Sequence, residues 1–200
     1  MTGKGFLICI EGLDGAGKTT QAKILVESLR AKGYDAIYTA EPTRGRIGQF
    51  IKKYCLHGEK RLSSVVEALL FAADRFEHVE REIMPALASG KIVVSDRYVY
   101  SSIAYQGAAG LSLDWIRLVN QHAVKPDLAI FIDVEPEIVV QRLKPKKSLM
   151  ENIETQRRVR EVYLKLVESG ELCRVDGNKA EKAVADEILS ISLNYLSKGV

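Results

Sequence analysis

The most informative segment of this 200-residue chain is Gly12-Leu-Asp-Gly-Ala-Gly-Lys-Thr19. It matches the phosphate-binding loop pattern GxxxxGK[ST], in which glycines leave space for backbone N–H groups to converge on phosphate oxygens. Lys18, which we expect to be exposed to solvent without ligand, would supply positive charge for the β- and γ-phosphates, and Thr19 would be a ligand for Mg²⁺. The stretch predicts a nucleoside triphosphate site formed by Gly12, Leu13, Asp14, Gly15, Ala16, Gly17, Lys18, Thr19 and Thr20.

The residues on both sides of the loop fit this motif. Phe6–Ile10 is a short apolar run, which is typical of a strand buried on both faces. After the loop, apolar residues recur at helical spacing from Ala22 to Leu29, and Gly33 is well placed to end that helix. The sequence therefore predicts strand, loop and helix in the order that the motif requires.

Further strands and helices alternate along the chain. Four more short segments are typical of buried strands: Ala36–Thr39, Ile92–Ser95, Leu128–Ile132 and Leu172–Val175. The longest helical pattern can be capped by Ser63, continues towards Ala88 and could be kinked at Pro85. This alternation predicts an α/β fold with a parallel sheet of about five strands and helices on both faces. We expect one domain over residues 1–200, in which the polar, basic residues 144–149 form a loop.

A second protein ligand for Mg²⁺ is expected where a neighbouring strand ends. Asp96 follows one predicted strand and Asp133 follows another, and ligands bind at this edge of open α/β sheets. Asp133 leads into Val-Glu-Pro, which is typical of a helix start, so helix capping would account for it. We therefore favour Asp96, together with Thr19, as the metal ligands.

Composition limits the classes of protein that need to be considered. With 46% hydrophobic and 28% charged residues the chain is typical of a globular protein, and a net charge of +3 is low for a nucleic-acid binder. No segment approaches the ~18 apolar residues of a membrane span, and no signal-peptide pattern is visible. Cys9, Cys55 and Cys173 are widely spaced, as expected of free thiols in a reducing compartment. We expect a cytoplasmic protein that binds neither nucleic acid nor membrane.

Arginines outside the loop indicate what kind of nucleotide-binding protein this is. A small GTPase should carry an NKxD-type segment for guanine, and none is visible. The arginines in question are Arg44, Arg46, Arg75, Arg97, Arg142, Arg157, Arg158 and Arg160. A kinase that acts on a phosphorylated acceptor must hold several phosphate charges together, which arginine does well. For the last three, a solvated helix face is the alternative interpretation.

Four segments together resemble the thymidylate kinase family. They are EGLDGAGKTT at 11–20, EPTR at 41–44, LFAADR at 70–75, and DRY with a downstream AYQG between 96 and 107. They occur in that family's order and spacing, and the similarity extends to the pair at 175–176. The resemblance implies a P-loop kinase fold with a short basic lid at about 142–151. It also implies transfer of the ATP γ-phosphoryl group to dTMP with Mg²⁺, and a homodimer.

The resemblance further implies which residues read the base and the sugar of the acceptor. Phe71 would stack on the thymine ring, and Arg75 would donate a hydrogen bond to its O4. Tyr105 would occupy the space that a ribose 2′-hydroxyl needs. Ser102 and Gln106 are further candidates for contacts with the edge of the base.

Other residues are implied to hold the phosphates and the donor nucleotide. Arg97 and Arg44 would bind the acceptor phosphate, and Arg97 would act with Lys18 in catalysis. Asp14 would accept from the sugar 3′-hydroxyl and so link the two substrates. Arg142 would lie against the adenine of ATP.

The lid departs from part of the family. Some members carry a basic residue at the position of Gly15, and those that lack it place basic residues in the lid. The candidates here are Lys144, Lys146 and Lys147, of which we assign Lys146 and Lys147 a catalytic role. The lid of the family usually bears arginine, so which lysine reaches the phosphoryl group stays open.

Structural and functional alternatives remain beside these roles. Phe71 and Tyr105 could belong to the core, and Arg75 could pair with a carboxylate on its own helix: Glu67, Glu77 or Glu82. A deoxynucleoside kinase would need a carboxylate base near a neutral 5′-hydroxyl, for which Glu41 could serve. A regulator that only senses ATP would need no acceptor site. The histidines His57, His78 and His122 form no cluster and receive no role.

Overall fold

The computed structural model describes residues 5–56, 62–142 and 153–197. The strands in this part of the chain are β1 Phe6–Gly12, β2 Ala36–Ala40, β3 Ile92–Asp96, β4 Leu128–Asp133 and β5 Cys173–Asp176. They form one sheet in the order β2-β3-β1-β4-β5, and every pairing is parallel. The predicted α/β class and parallel sheet are confirmed, and each strand ends one or two residues beyond its predicted end.

Helices cover this sheet in two groups. Their bounds are α1 Lys18–Ala31, α2 Arg46–Ile51, α3 Ser64–His78, α4 Met84–Ala88, α5 Val99–Ala108, α6 Leu113–Val119, α7 Pro136–Arg142, α8 Ile153–Glu168 and α9 Glu181–Leu196. In one group α1 packs against α9, and in the other α5 packs against α3, α6 and α8. None of the helices in the described ranges combines the length and the apolar character that crossing a bilayer requires.

The register of the central strands brings the phosphate loop to Asp96. β1, β3 and β4 are almost entirely buried, and each begins with an apolar run, as parallel strands covered on both faces should. Ile10 of β1 pairs with Asp96 of β3, and Gly12 pairs with Ile132 of β4. The carboxyl ends of these strands therefore meet where the loop begins.

The long helical region between Ser63 and Gly90 is continuous but irregular. The Ser63 hydroxyl caps α3 by accepting from the backbone N–H of Val66 at 3.4 Å, as its position predicts. A π-helical turn at Val79–Ile83 separates α3 from α4. Because Pro85 lacks the N–H that a regular helix would direct at the carbonyl of residue 81, the predicted distortion takes the form of a widened turn just before the proline.

The face of α3 that is buried in the protein carries several polar side chains, which the spacing of the apolar residues did not predict. Val66 and Leu69, two apolar residues at helical spacing in α3, are exposed. Asp74, Arg75 and His78 are buried instead. The inner face of α3 therefore serves the site described next and not the apolar core.

Candidate active site

The phosphate loop has the backbone geometry that its glycines predict. Gly15 and Gly17 have φ of +86° and +89°, in the left-handed region that favours glycine. A Cβ on Gly12 would lie 2.8 Å from the carbonyl oxygen of Ile132, so a larger residue would force the loop away from β4. α1 begins directly after the loop, and its N-terminal N–H groups complete a site suited to phosphate.

The Lys18 side chain is not solvent-exposed, contrary to the expectation from sequence. It is 6% exposed, and its Nζ donates to the backbone carbonyl of Leu13 at 2.6 Å. The loop folds back over the lysine stem, which a turn motif alone does not disclose. Burial lowers the pKa of Lys18 to about 8, and the neighbouring charge of Arg97 acts in the same direction. The ammonium group is therefore a desolvated cation held beside the loop.

The hydroxyl of Thr19 and the carboxylate of Asp96 lie next to each other beside the phosphate loop. The Thr19 hydroxyl donates to Asp96 Oδ2 at 2.5 Å, and the Tyr38 hydroxyl donates to the same oxygen at 3.3 Å. Burial raises the pKa of Tyr38 to about 12, which keeps it a donor. A hydroxyl and a carboxylate beside a phosphate loop fit Mg²⁺, which binds through a few protein oxygens together with substrate phosphates. Tyr38 was not identified from the sequence.

Asp133, the alternative metal ligand, is engaged elsewhere. Its buried carboxylate receives hydrogen bonds from Arg160 Nε at 2.7 Å and Arg174 Nε at 2.8 Å. The expected capping role is therefore wrong for this side chain, because two arginines from α8 and β5 occupy its oxygens. Asp133 contributes a buried ion-pair cluster, and Asp96 is the carboxylate beside Thr19.

A cavity next to the loop collects most of the side chains predicted to bind the acceptor. It is lined by Asp14, Glu41, Pro42, Leu56, Phe71, Arg75, Arg97, Tyr98, Ser101, Ser102, Tyr105 and Gln106. All the predicted acceptor residues are among them except Arg44. That arginine is exposed and lines an adjoining depression with Thr43, His78 and Arg81.

Arg97, Asp14 and Tyr105 connect the cavity with the phosphate loop. Arg97 has a left-handed backbone with φ of 71°, and its guanidinium forms an ion pair with Asp14 and donates to Ser101 at 3.0 Å. The Tyr105 hydroxyl donates to Asp14 Oδ2 at 3.0 Å. Burial opposes ionisation of Asp14, but the charges of Arg97 and Lys18 outweigh it and hold the pKa of that carboxyl below its ordinary value. Asp14 is thus an ionised hydrogen-bond acceptor at the boundary of the two sites.

Arg75 forms a buried ion pair, but with none of the helix carboxylates proposed from the sequence. Its Nε and Nη2 both donate to Glu41 Oε2, at 3.0 and 2.7 Å. The other oxygen of Glu41 lies 3.1 Å from Nδ1 of His78. Glu41 follows β2 and is far from α3 in sequence, so helix spacing could not identify it as the partner.

Glu11 is a buried carboxylate behind Arg97 that received no individual role from the sequence. Its oxygens accept from the Tyr98 backbone N–H at 2.9 Å, the Ser101 hydroxyl at 2.5 Å and the Tyr163 hydroxyl at 3.0 Å. Burial raises the pKa of Glu11, although these hydrogen bonds oppose the shift. The carboxylate holds the turn that carries Arg97.

A second depression lies on the other side of the loop. It is lined by Ala16, Gly17, Thr20, Gln21, Arg142, Gly177, Lys179, Glu181 and Val184. The exposed Arg142 therefore lies in a depression that borders the phosphate loop. The residues from 177 to 184 were missed, and their only signal in the sequence was their position directly after the similarity at 175–176.

Two further groups of basic residues were singled out in the sequence: the lid lysines and the arginines of α8. Lys144, Lys146 and Lys147 lie outside the described residues, as does most of the predicted lid at 142–151. Arg157 and Arg158 are exposed, and Arg157 pairs with Glu137 at 2.7 Å. The solvated-face interpretation holds for these two arginines.

Comparison with known proteins identifies relatives over most of the chain. A family model described as thymidylate kinase matches residues 10–188. A probable thymidylate kinase of Pyrococcus horikoshii is 48% identical over 172 residues, which cover 82% of this chain and 84% of that protein. A probable thymidylate kinase of Staphylothermus marinus is 41% identical over 195 residues, 96% of either chain. A thymidylate kinase of Caldanaerobacter subterraneus subsp. tengcongensis is 38% identical in an alignment 202 residues long, which covers 96% of this chain and 97% of that protein.

Proposed function

This chain belongs to the thymidylate kinase family, and on that basis we propose that it transfers the γ-phosphoryl group of ATP to dTMP, giving dTDP and ADP. The observation that carries the proposal is a cavity with an aromatic ring and two arginines, joined to a phosphate loop through Asp14. A triphosphate donor and a phosphorylated acceptor would meet at this junction.

The reaction needs positioning and charge neutralisation more than proton transfer. The attacking oxygen belongs to a phosphate that is already ionised, so a general base is unnecessary. Arg97 would hold the acceptor phosphate from the cavity side, and Lys18 would neutralise the donor phosphates from the loop. Arg44 lies at the margin, where it could reach the acceptor phosphate only from an adjoining depression.

The cavity also offers groups for reading the base. Phe71 lines it and would stack on the pyrimidine, while Arg75 would donate to O4. The side-chain oxygen of Gln106 is buried and, within the described part of the chain, has no hydrogen-bond partner, so it could accept from the N3–H of thymine. Ser102 lines the same wall, where its hydroxyl accepts from Arg75 at 3.1 Å.

Two groups read the sugar at the boundary with the loop. Asp14 would accept from the 3′-hydroxyl, since its carboxylate is ionised and lines the cavity. The Tyr105 hydroxyl donates to that carboxylate, which fixes the ring in the cavity wall. This ring would occupy the space that a ribose 2′-hydroxyl needs, and we expect a preference for a deoxy sugar.

Thr19 and Asp96 would hold Mg²⁺ together with ATP. Their hydroxyl and carboxylate oxygens lie beside the loop and are atoms that Mg²⁺ prefers as ligands. The ion would neutralise charge on the donor phosphates. Arg142 would lie against adenine, and Lys146 and Lys147 would close over the phosphoryl group and exclude water.

Quaternary structure and location complete the proposal. A homodimer, implied by the family resemblance, is supported by the exposed apolar side chains of Val65, Val66 and Leu69 on α3. Cys9, Cys55 and Cys173 carry free thiols, which agrees with a cytoplasmic location.

A deoxynucleoside kinase is the weaker alternative because its required base is already engaged. Glu41, the candidate base, is bound by Arg75 and His78 and is buried. A coupled ADP-release assay with thymidine, dTMP, dCMP, dUMP and dGMP would test the proposal directly. We expect dTMP to be the best acceptor and thymidine to be inactive. ADP release with thymidine and not with dTMP would overturn the proposed function.

A further inference from the structure

We propose that Glu41 and Asn120 determine base selection by positioning Arg75, so that its guanidinium presents one N–H to the pyrimidine. His78 contributes indirectly, because its ring contacts Glu41 and fixes the position of that carboxylate. The inference rests on the proposed function and deepens it, because it names residues that need not touch the substrate.

The hydrogen bonds of Arg75 leave little of the guanidinium free. Nε donates once to Glu41, and Nη2 donates to Glu41 and towards the Tyr98 carbonyl and the Ser102 hydroxyl, both at 3.1 Å. Nη1 donates to Asn120 Oδ1 at 2.6 Å. Arginine has five N–H groups, so within the described contacts a single N–H, on Nη1, remains available to a ligand.

Both groups that hold the guanidinium are themselves held. The Asn120 amide donates from Nδ2 to the Ile116 carbonyl at 2.8 Å, which directs its oxygen at Arg75. Glu41 binds Arg75 with one oxygen and faces His78 with the other, and the second ring nitrogen of His78 lies 2.6 Å from the Thr39 hydroxyl. Glu41, His78 and Asn120 are all buried, so these contacts are formed in a poorly solvated environment.

The chemistry of the acceptor explains why this rigidity matters. Thymine presents a carbonyl oxygen at position 4, which can accept from the one free N–H. Cytosine presents an amino group there, which would leave two donors facing each other. A guanidinium free to rotate could turn its N–H groups towards its protein partners and admit cytosine. A guanidinium fixed along both edges cannot, so rejection of cytosine depends on Glu41 and Asn120 as much as on Arg75.

The test compares kcat/KM for dTMP, dCMP and dUMP in the full-length wild-type protein and the variants Glu41→Gln and Asn120→Ala. Each variant should lower the dTMP/dCMP ratio by about tenfold or more, since a polar mismatch would no longer be enforced. The dTMP/dUMP ratio should change by less than about twofold, because uracil keeps the O4 acceptor. Asn120→Asp retains an acceptor for Nη1 and should preserve most of the discrimination.

Asp133→Asn is the matched control, since it weakens a buried ion-pair cluster whose side chains do not line the cavity, and it should leave both ratios unchanged. Equal losses on dTMP and dCMP in both variants would overturn the inference and make Glu41 and Asn120 merely structural. If Glu41→Gln does not fold, Asn120→Ala decides alone. A wild-type protein without dTMP kinase activity would refute the proposed function instead, so the two failures are distinguishable.

Discussion

The phosphate loop and the acceptor cavity hold positive charge in different ways. In the loop, Lys18 is buried and donates to a backbone carbonyl, with its pKa lowered by burial. In the cavity, each arginine is bound to a carboxylate, the buried Arg75 to Glu41 and the half-buried Arg97 to Asp14. One region therefore carries a cation that lacks full compensation until phosphate binds, and the other is compensated within the protein.

This difference predicts opposite effects of removing a charged group. An under-compensated buried cation destabilises the unliganded fold, so its loss should raise stability while it abolishes function. Where a buried cation is paired, removal of its partner destabilises the folded protein, because the cation is left buried without a compensating charge. The two regions can therefore be compared by whether removal of a charged group raises or lowers the free energy of unfolding.

The largest expected effect is on the loop. Lys18→Met should lower kcat by roughly 10³-fold, since a preorganised charge on the transferred group is lost. The same variant should raise the free energy of unfolding of the unliganded protein by roughly 1–3 kcal/mol, because a desolvated ammonium group is removed. The measurements are steady-state kinetics and urea unfolding at pH 7.

Lys125→Met, which removes an exposed lysine, is the control and should change stability by less than about 0.5 kcal/mol. Near-normal turnover in Lys18→Met would contradict the assignment of the phosphate loop. A clear loss of stability would contradict the claim that its charge is under-compensated.

Removing the partner of Arg75 should act in the opposite direction. Glu41→Ala leaves a buried guanidinium without its carboxylate and should destabilise the protein by about 3 kcal/mol, measured by urea unfolding. Asp35→Ala breaks the exposed pair with Lys91 and should cost less than about 1 kcal/mol. Equal costs for the two variants would mean that burial of the Glu41 pair contributes nothing.

The same contrast explains what could be predicted from the sequence. The loop is one contiguous motif between a strand and a helix, so its residues and the closeness of Thr19 to Asp96 followed from pattern and strand order. The contacts of Glu41, His78 and Asn120 around Arg75 join the residue after β2, helix α3 and the residue after α6 over long sequence separations. No spacing rule selects such partners, which is why His78 received no role.

The other differences between prediction and structure arise where residues pack around the site and not in the apolar core. The polar inner face of α3 contradicts the usual relation between apolar spacing and burial, because this helix borders the cavity. Lys18 was expected to be exposed because a motif specifies the loop but not what folds over it. The residues predicted to bind the acceptor came from the family resemblance, not from periodicity or charge.

A smaller effect concerns the sugar at the boundary between the two regions. Tyr105→Ala should narrow the preference for dTMP over ribothymidine monophosphate by roughly ten- to two-hundred-fold, since space for a 2′-hydroxyl opens. Tyr105→Phe keeps the ring but loses the hydrogen bond to Asp14, so it should retain the preference while kcat falls. Comparison of kcat/KM for both substrates tests this, and an unchanged preference in Tyr105→Ala would assign sugar selection elsewhere.

The smallest effect is a pH dependence that separates the loop from the cavity. The pKa of Lys18 lies near 8 in the folded protein and at about 10.5 when unfolded, so between these values the unfolded chain binds more protons and stability rises with pH. Below pH 8 the lysine is protonated in both states and its full cost is present; above pH 10.5 it is neutral in both and the cost is gone. The stability advantage of Lys18→Met over wild type should therefore be constant from pH 6 to 7.5 and shrink steadily from pH 8 to 10.

Thermal unfolding of both proteins across this pH range measures the difference in stability directly, with Lys125→Met again as the reference. An advantage that stays constant up to pH 10 would mean that the Lys18 ammonium group is as well compensated as the arginines of the cavity, and the distinction between the two regions would not hold.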